Sequence, residues 1–367
     1  MLIVSPHYGQ VRGGAEHNDE MIGACFREKG HEVRFAYAWD AELPSVRDPN
    51  PGDIRVETDY VRTAGSTSKR WPMGPWIRHT FESRFVQGLV ARAAPLLQTV
   101  DLCLLTGKPV LGRIKPWVRG LVVYAVRGAV NRLYHRRMRR IDGLIFWGGC
   151  EQDSSYTPPA HQRVLHADPG VEADLFAAAK PDRALLDRLG WQQQSLVIGV
   201  VARLEPIKQI DGVIRAAASL QRDGLPVRLL VVGGGSLERP LRDYASSHLE
   251  DRSYHFTGAV ADKAAVASLV RSMRTVVLNS RSENHPIVLK EAICAGVYAV
   301  APDVGRVRSV LCPPSFGVTF PPGDERALCS TLQRALLRRE RWPLASPPWS
   351  RGSSWCDVAS TILDRFG

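Results

Sequence analysis

The stretch "SENHPIVLKEAICAG" (Ser282–Gly296) places two carboxylates, Glu283 and Glu291, around the apolar run Ile287-Val288-Leu289. Paired carboxylates can serve as acid and base at a glycosidic bond. They can equally accept hydroxyl groups, and a Glu-x7-Glu spacing also arises from two unrelated residues. Pro286 suits the first turn of a helix or the turn just before it. A helix starting there points the N–H groups of Ile287 and Val288 at an anion. That arrangement puts a phosphate in the middle, with Glu291 against the two hydroxyls of a ribose. Glu283 then meets sugar hydroxyls beyond the phosphates.

Three further stretches carry chemistry of the same kind. In "ARLEPIKQIDG", Arg203 and Lys208 follow an apolar strand and can hold a diphosphate, Arg as a fork and Lys as a point charge. The alternative is a pair of solvated surface cations. The turn "RGGAE", with Gly13 and Gly14, lets a backbone approach an acceptor or a phosphate, or simply turns the chain. "VVGGGSLE" ends a strand in three glycines and reads first as a turn, with close backbone approach as a secondary role.

The elements that must position these residues alternate between apolar runs and helical periodicity. "MLIVSP" reads as a strand, Ala15 to about Lys29 as a helix, and "HEVRFAYA" as the next strand. Residues 40–80 read as irregular. "VDLCLLTG" is a buried strand, and "DGLIFWGG" is the last clear strand of the first half. The second half repeats the alternation from "SLVIGVVARL" to "VYAVAPDVG". Continuous apolar strands alternating with helices mean parallel sheets covered on both faces. The series divides near "ADPGVEADLF", which predicts an α/β chain of two doubly wound Rossmann-like domains facing a central cleft.

Composition narrows the class. The chain has 367 residues, 44% hydrophobic and 23% charged, which suits a two-domain globular protein. No uncharged apolar window of membrane-spanning length occurs, and the start lacks the character of a signal peptide, so the expected location is cytoplasmic. The seven cysteines are scattered without a C-x-x-C, which argues against a disulfide framework and against a zinc site. No metal-ligand cluster and no cofactor are expected.

Taken in order, these blocks resemble the retaining, GT-B-fold glycosyltransferases of family 4, the group 1 glycosyl transferases. "RGGAE" with "GHEV" resembles the N-terminal glycine loop and second strand of that family. "DPGVEADLF" is similar to its linker, "ARLEPIK" to its Arg…Lys block, and "FTGAV" to its nucleobase loop. "SENHPIVLKEAICAG" is similar to the E-x7-E block, and "WCDVASTIL" to the closing helix. The match is strong at residues 1–38 and 165–367 and weak from about 40 to 160.

The resemblance implies transfer of a sugar, with retention, from a nucleotide-diphosphate donor (UDP first) to a glycan, glycolipid or lipid-linked acceptor of a bacterial surface polysaccharide. It implies an acceptor-binding domain at 1–170, a donor-binding domain at 171–345 and a terminal helix at 346–367 that returns to the first domain. The implied donor ligands are Arg203, Lys208, Gly258, Val260, Glu283, Asn284, His285, Pro286, Ile287, Val288 and Glu291. Arg203, Lys208 and Glu283 carry the reaction, and Gly13 and Gly14 form the acceptor or phosphate loop. Asn284 and His285 stand where Gly-Phe is common in the family, which bears on the identity of the sugar. A histidine at the end of an N-domain strand is not evident, and "VVYAVRG" offers Arg127 instead. These departures leave open a pseudo-glycosyltransferase or a natural-product glycosyltransferase on the same fold. A non-enzymatic nucleotide-sugar-binding scaffold is the third reading.

Charge is uneven. Of the net +11, residues 61–141 hold 16 Lys+Arg against two acids, or +14, which leaves −3 for the rest. Within 115–142, apolar residues at helical spacing and Arg127, Arg132, Arg136, Arg139 and Arg140 predict a basic amphipathic helix for an anionic membrane surface. A core-packed helix with a solvated basic face is the alternative. The protein would then sit peripherally on the inner face of the cytoplasmic membrane. No nucleic-acid-binding pattern occurs.

Overall fold

The computed structural model describes residues 1–10, 14–43, 45, 50–58, 74–107, 109–127, 132, 135–148, 156–192, 194–338 and 354–367. The chain divides into two compact units, Met1–Gly170 with Trp355–Gly367, and Val171–Ser354. Each is a parallel sheet flanked by helices, as the alternation of apolar runs predicts.

The N-terminal sheet has seven strands: β1 (Leu2–Val4), β2 (Arg34–Trp39), β3 (Ile54–Glu57), β4 (Leu102–Leu105), β5 (Leu121–Val126), β6 (Gly143–Trp147) and β7 (Arg163–Ala167). Their spatial order is β3-β2-β1-β4-β5-β6-β7. The order reverses between β1 and β4, and ligands of doubly wound sheets bind beyond the strand C-termini at such a reversal. Helix α1 (Gly14–Glu28) follows β1, and Gly23 leaves room on it for Phe35 and Ile3 of the sheet. Helix α2 (Gly74–Leu97) follows β3, and its Phe85, Val86 and Leu89 join the core on one face of the sheet.

The C-terminal sheet has six strands: β8 (Leu196–Val201), β9 (Val227–Val232), β10 (Tyr254–Phe256), β11 (Thr275–Val277), β12 (Tyr298–Pro302) and β13 (Gly317–Phe320). Its order, β10-β9-β8-β11-β12-β13, reverses between β8 and β11. Its helices are α3 (Ile210–Arg222), α4 (Glu238–His248), α5 (Lys263–Arg271), α6 (Ile287–Cys294) and α7 (Glu325–Leu336). Helix α3 buries Ile210, Val213, Ile214, Ala217 and Leu220, the three-and-four spacing of one helical face.

The terminal helix α8 (Trp355–Phe366) belongs to the N-terminal unit. It lies on α1, and Gly143 of β6 leaves the space that the Phe366 ring fills. Cys25 of α1 and Cys356 of α8 form a disulfide with their Cα atoms 5.0 Å apart. This corrects the expectation of unpaired cysteines. The two lie 331 residues apart, and only the docking of α8 brings them together. Among the described residues, the one grouping of potential metal donors is Cys25, Glu28 and Cys356, and its two sulfurs are bonded to each other.

Three further expectations change. Residues 40–80 contain β3, and α2 begins at Gly74. β7 follows β6, so "DGLIFWGG" is not the last strand of its half. Among the described residues, the stretch predicted as an amphipathic helix at 115–142 holds instead the end of a 3-10 segment, strand β5 and a short helix, His135–Met138, while 128–131, 133 and 134 lie outside the described residues. The β-branched run in "LVVYAV" pairs with β4 and β6 and is buried between them, which outweighs the helical spacing of its valines. No helix among the described residues is long and apolar enough to cross a membrane.

Candidate functional site

Three of the residues predicted to hold the donor lie at the reversal point of the C-terminal sheet. Arg203 and Lys208 lie on the segment that leaves β8, and Glu283 lies on the loop that leaves β11. Three links join these two segments. The Arg281 N–H donates to Ile207 O at 2.9 Å, and Asn279 Nδ2 donates to Gln209 O at 2.8 Å. Lys208 Nζ sits 2.5 Å from Glu283 Oε1. Both of these side chains are mostly buried, whereas Arg203 is exposed.

Glycines hold this edge together. Gly233 and Gly235, after β9, have φ of 136° and 157°. A Cβ on Gly235 would lie 2.7 Å from the backbone of Leu204, and one on Gly233 would overlap the carbonyl of Ala202. Leu204 N–H donates to Gly234 O at 2.9 Å, so the triple glycine allows two backbones to touch. The turn read from "VVGGGSLE" thus also brings its backbone against the segment that leaves β8. Gly258, at φ 72°, accepts from the Gly233 N–H at 3.0 Å and so extends the same edge to the loop after β10. Val260, two residues on, is half-buried against the core.

Helix α6 begins at Ile287 after Pro286, an N-cap residue that gives no side-chain hydrogen bond to the first turn. The Leu289 N–H donates to Pro286 O at 3.1 Å, and the helix dipole gives this end its partial positive charge. Asn284 O accepts from the Arg306 N–H at 3.1 Å, which ties the Glu283 loop to the loop after β12, while His285 is half-buried. Glu291 is one turn inside α6 and 6% exposed. Its Oε1 lies 2.5 Å from Lys263 Nζ, and that ammonium sits 5.5 Å from the centroid of the buried Phe176 ring. Burial, and then the negative charge of Glu291, pushes the Cys294 thiol up to about 12.

Each glutamate thus meets a lysine, not the other glutamate. That arrangement suits the acceptance of hydroxyls beside fixed cations. Lys263 escaped the sequence reading. The dipeptide Asp262-Lys263 signals a capped helix start, and Asp262 does accept from the Ala264 and Ala265 N–H groups. Nothing in the local sequence points from Lys263 to a carboxylate 28 residues on. Gly13 lies outside the described residues, and Gly14 opens α1.

The arginines assigned to a membrane face separate into two groups. Arg132, Arg136, Arg139 and Arg140 are exposed. Arg127 is not part of that face: its guanidinium forms an ion pair with the buried Asp19 of α1 and is 20% exposed. It follows β5, so its backbone is fixed at the sheet edge.

The two sheets and their strand orders are those of the GT-B fold. Anabaena HepE, solved in complex with UDP and glucose, superposes with a TM-score of 0.71 at 15% identity, covering 99% of this chain and 98% of that one. Residues 182–342 match the family described as glycosyl transferases group 1. The C-terminal unit is a group 1 glycosyl transferase domain. A GDP-mannose-dependent alpha-mannosyltransferase of Mycobacterium tuberculosis is 29% identical over 54% of this chain and 49% of its own length. A phosphatidyl-myo-inositol mannosyltransferase of Mycobacterium leprae is 33% identical over 53% and 50%. The chain spans about half the length of these curated relatives.

Proposed function

We propose that this chain is a retaining glycosyltransferase of family 4. It moves a hexose from a nucleotide diphosphate to a glycan, glycolipid or lipid-linked acceptor in the assembly of a bacterial surface polysaccharide. The observation that carries this reading is the Lys208–Glu283 pair at the reversal point of the C-terminal sheet, with Glu283 four residues before the first residue of helix α6.

Such a site has little covalent work to do. Lys208, Arg203 and the α6 N-terminus stabilise the charge that develops on the departing diphosphate, and the acceptor is positioned on the face that the diphosphate leaves. Glu291 accepts from the ribose hydroxyls and Glu283 from the donor sugar. Gly258 and Val260 border the nucleobase, and Asn284 and His285 select the sugar. Positive charge near the diphosphate comes from the chain itself.

UDP, the nucleotide in the HepE complex, is the first donor candidate, and the GDP-mannose named for the M. tuberculosis relative is the second. The name of the M. leprae relative supports a glycolipid acceptor. The exposed Arg132, Arg136, Arg139 and Arg140 support meeting that acceptor at an anionic surface.

The test is hydrolysis and transfer from a panel of UDP-, GDP-, ADP- and TDP-sugars by wild type, Glu291→Ala and Arg203→Ala. One nucleotide series should be used preferentially, and both variants should lose turnover. Variants equal to wild type in donor binding and turnover would sink the site assignment. Sedimentation with anionic liposomes at low and high salt tests the surface, and absence of binding at both removes it.

A further inference from the structure

Helices α1 and α8 of the N-terminal unit bring together two sulfurs and a carboxylate that the donor site does not use. Cys25 and Glu28 lie three residues apart on one face of α1, and Cys356 lies in the first turn of α8. Their sulfur and carboxylate oxygen atoms all lie within 4.8 Å of one another. Cys25 is 3% exposed, Cys356 is half-buried and Glu28 is exposed, so the group opens to solvent on the Glu28 side. Packing holds it together as well as the disulfide does. Helix α8 buries Trp355, Val358, Ala359, Ile362 and Phe366, with Trp355 against Gly170 and Phe366 against Gly143. Opening the S–S bond leaves those contacts in place.

Glu28 Oε2 lies 3.2 Å from Cys356 Sγ. A disulfide sulfur carries no proton, so in the oxidised protein this contact is not a hydrogen bond. In the reduced protein the same contact has two uses. The thiol can donate its proton to the carboxylate, or the sulfur and the oxygen can share a cation. Reduction by a phosphine breaks the S–S bond, gives each sulfur a proton from water and carries the water oxygen away as the phosphine oxide. A divalent ion then displaces the two thiol protons and forms two metal–sulfur bonds and one metal–oxygen bond to ionised Glu28. With the Cα atoms 5.0 Å apart, the freed sulfurs can separate to the roughly 3.8 Å that a tetrahedral zinc ion requires when bound at about 2.3 Å to each.

We infer that the reduced protein binds a thiophilic divalent cation of the zinc type at Cys25, Glu28 and Cys356. Thiolate donors select such ions over magnesium and calcium, which take oxygen ligands. Three protein ligands leave the fourth tetrahedral position to water. The bound ion joins the first helix of the chain to the last, the link that the disulfide supplies in the oxidised protein. The inference does not rest on the glycosyltransferase reading.

The experiment is titration of the full chain with Co²⁺, with and without prior phosphine reduction, in the absence of oxygen. Reduced wild type should take up one ion per chain with a thiolate-to-cobalt charge-transfer band, which reports sulfur ligation directly. Zn²⁺ should displace the cobalt and Mg²⁺ should not. Oxidised wild type should show no such band. Zinc should raise the melting temperature of the reduced protein in proportion to the logarithm of its concentration, and leave that of the oxidised protein alone. This comparison needs no variant, so it stands whether or not a substituted chain folds.

Two variants then locate the site. The double variant Cys25→Ser/Cys356→Ser should lose the band, which separates this site from zinc held by the remaining cysteines. Glu28→Gln should keep the band and bind roughly tenfold or more weakly. Melting temperature without metal reports whether each variant is folded. A reduced wild type without the band, or a folded double variant with wild-type affinity, overturns the inference. Wild-type affinity in Glu28→Gln overturns the three-donor site. Turnover of nucleotide sugars is measured separately, so its absence would count against the glycosyltransferase reading and leave the metal titration readable.

Discussion

Gly305 and Glu283 are in backbone contact: the Cβ that Gly305 lacks would overlap the Glu283 carbonyl oxygen. Gly305 has φ 52°, a left-handed conformation, and the next residue, Arg306, donates its N–H to Asn284 O at 3.1 Å. The loop after β12 thus clamps the loop that carries Glu283. A side chain there meets two penalties, the left-handed backbone and the overlap.

Gly305→Ala should therefore lower stability by at least about 1–2 kcal/mol, the cost of the left-handed backbone alone. Because the strain falls on the Glu283 loop, turnover should fall with it. Urea unfolding and sugar transfer, measured on the same preparation, check this. An unchanged urea midpoint would contradict the clamp.

In the proposed reaction, Lys208 acts on a charge that grows as the diphosphate leaves. Lys208→Met should lower kcat by roughly 10²-fold or more, with a smaller effect on nucleotide affinity. Lost nucleotide affinity with unchanged kcat would mean that the lysine contributes ground-state binding only. Glu283→Gln should cost turnover as well, since Glu283 orients Lys208 across 2.5 Å.

Lys263 supports Glu291 from α5. Lys263→Met leaves a carboxylate with 7% side-chain exposure without its ion-pair partner, at a cost of about 1–3 kcal/mol. Nucleotide affinity should fall roughly tenfold, and Lys263→Arg should restore most of it. Calorimetric titration with UDP and GDP beside urea unfolding reads both. Unchanged affinity in a folded Lys263→Met protein would remove Lys263 from the site.

Cysteine reactivity tests the packing of both units. Burial pushes the Cys103 and Cys294 thiols up to about 12, so at pH 8 both are protonated and unreactive. Exposed Cys312 should alkylate first, Cys103 and Cys294 only after unfolding, and Cys25 and Cys356 only after reduction. Peptide mapping after iodoacetamide, with and without reductant, identifies each. Alkylation of Cys25 and Cys356 in unreduced, unfolded protein would contradict the disulfide.

The central strands and the helices of the C-terminal unit were legible because each is an apolar run or a helical stripe bounded by glycines. Glu283, Arg203 and Lys208 were legible as residue types on particular loops, and Glu291 as a carboxylate within a helix. Residues 115–142 were not. Val123, Val126 and Val130 keep a helical spacing, while "LVVYAV" has the β-branched character of a strand. Local sequence supports both, and the neighbouring strands β4 and β6 decide.

The sequence by itself determined the alternation of strands and helices, the two parallel sheets and the loops that bear Arg203, Lys208 and Glu283. Those follow from periodicity and turn chemistry, which act over a few residues. Tertiary structure alone decided which charges meet. Lys208 with Glu283, Lys263 with Glu291 and Arg127 with Asp19 are 75, 28 and 108 residues apart. Each pair forms because the strand order of its sheet brings segments distant in the chain together, and an ion pair leaves no periodic trace in the chain.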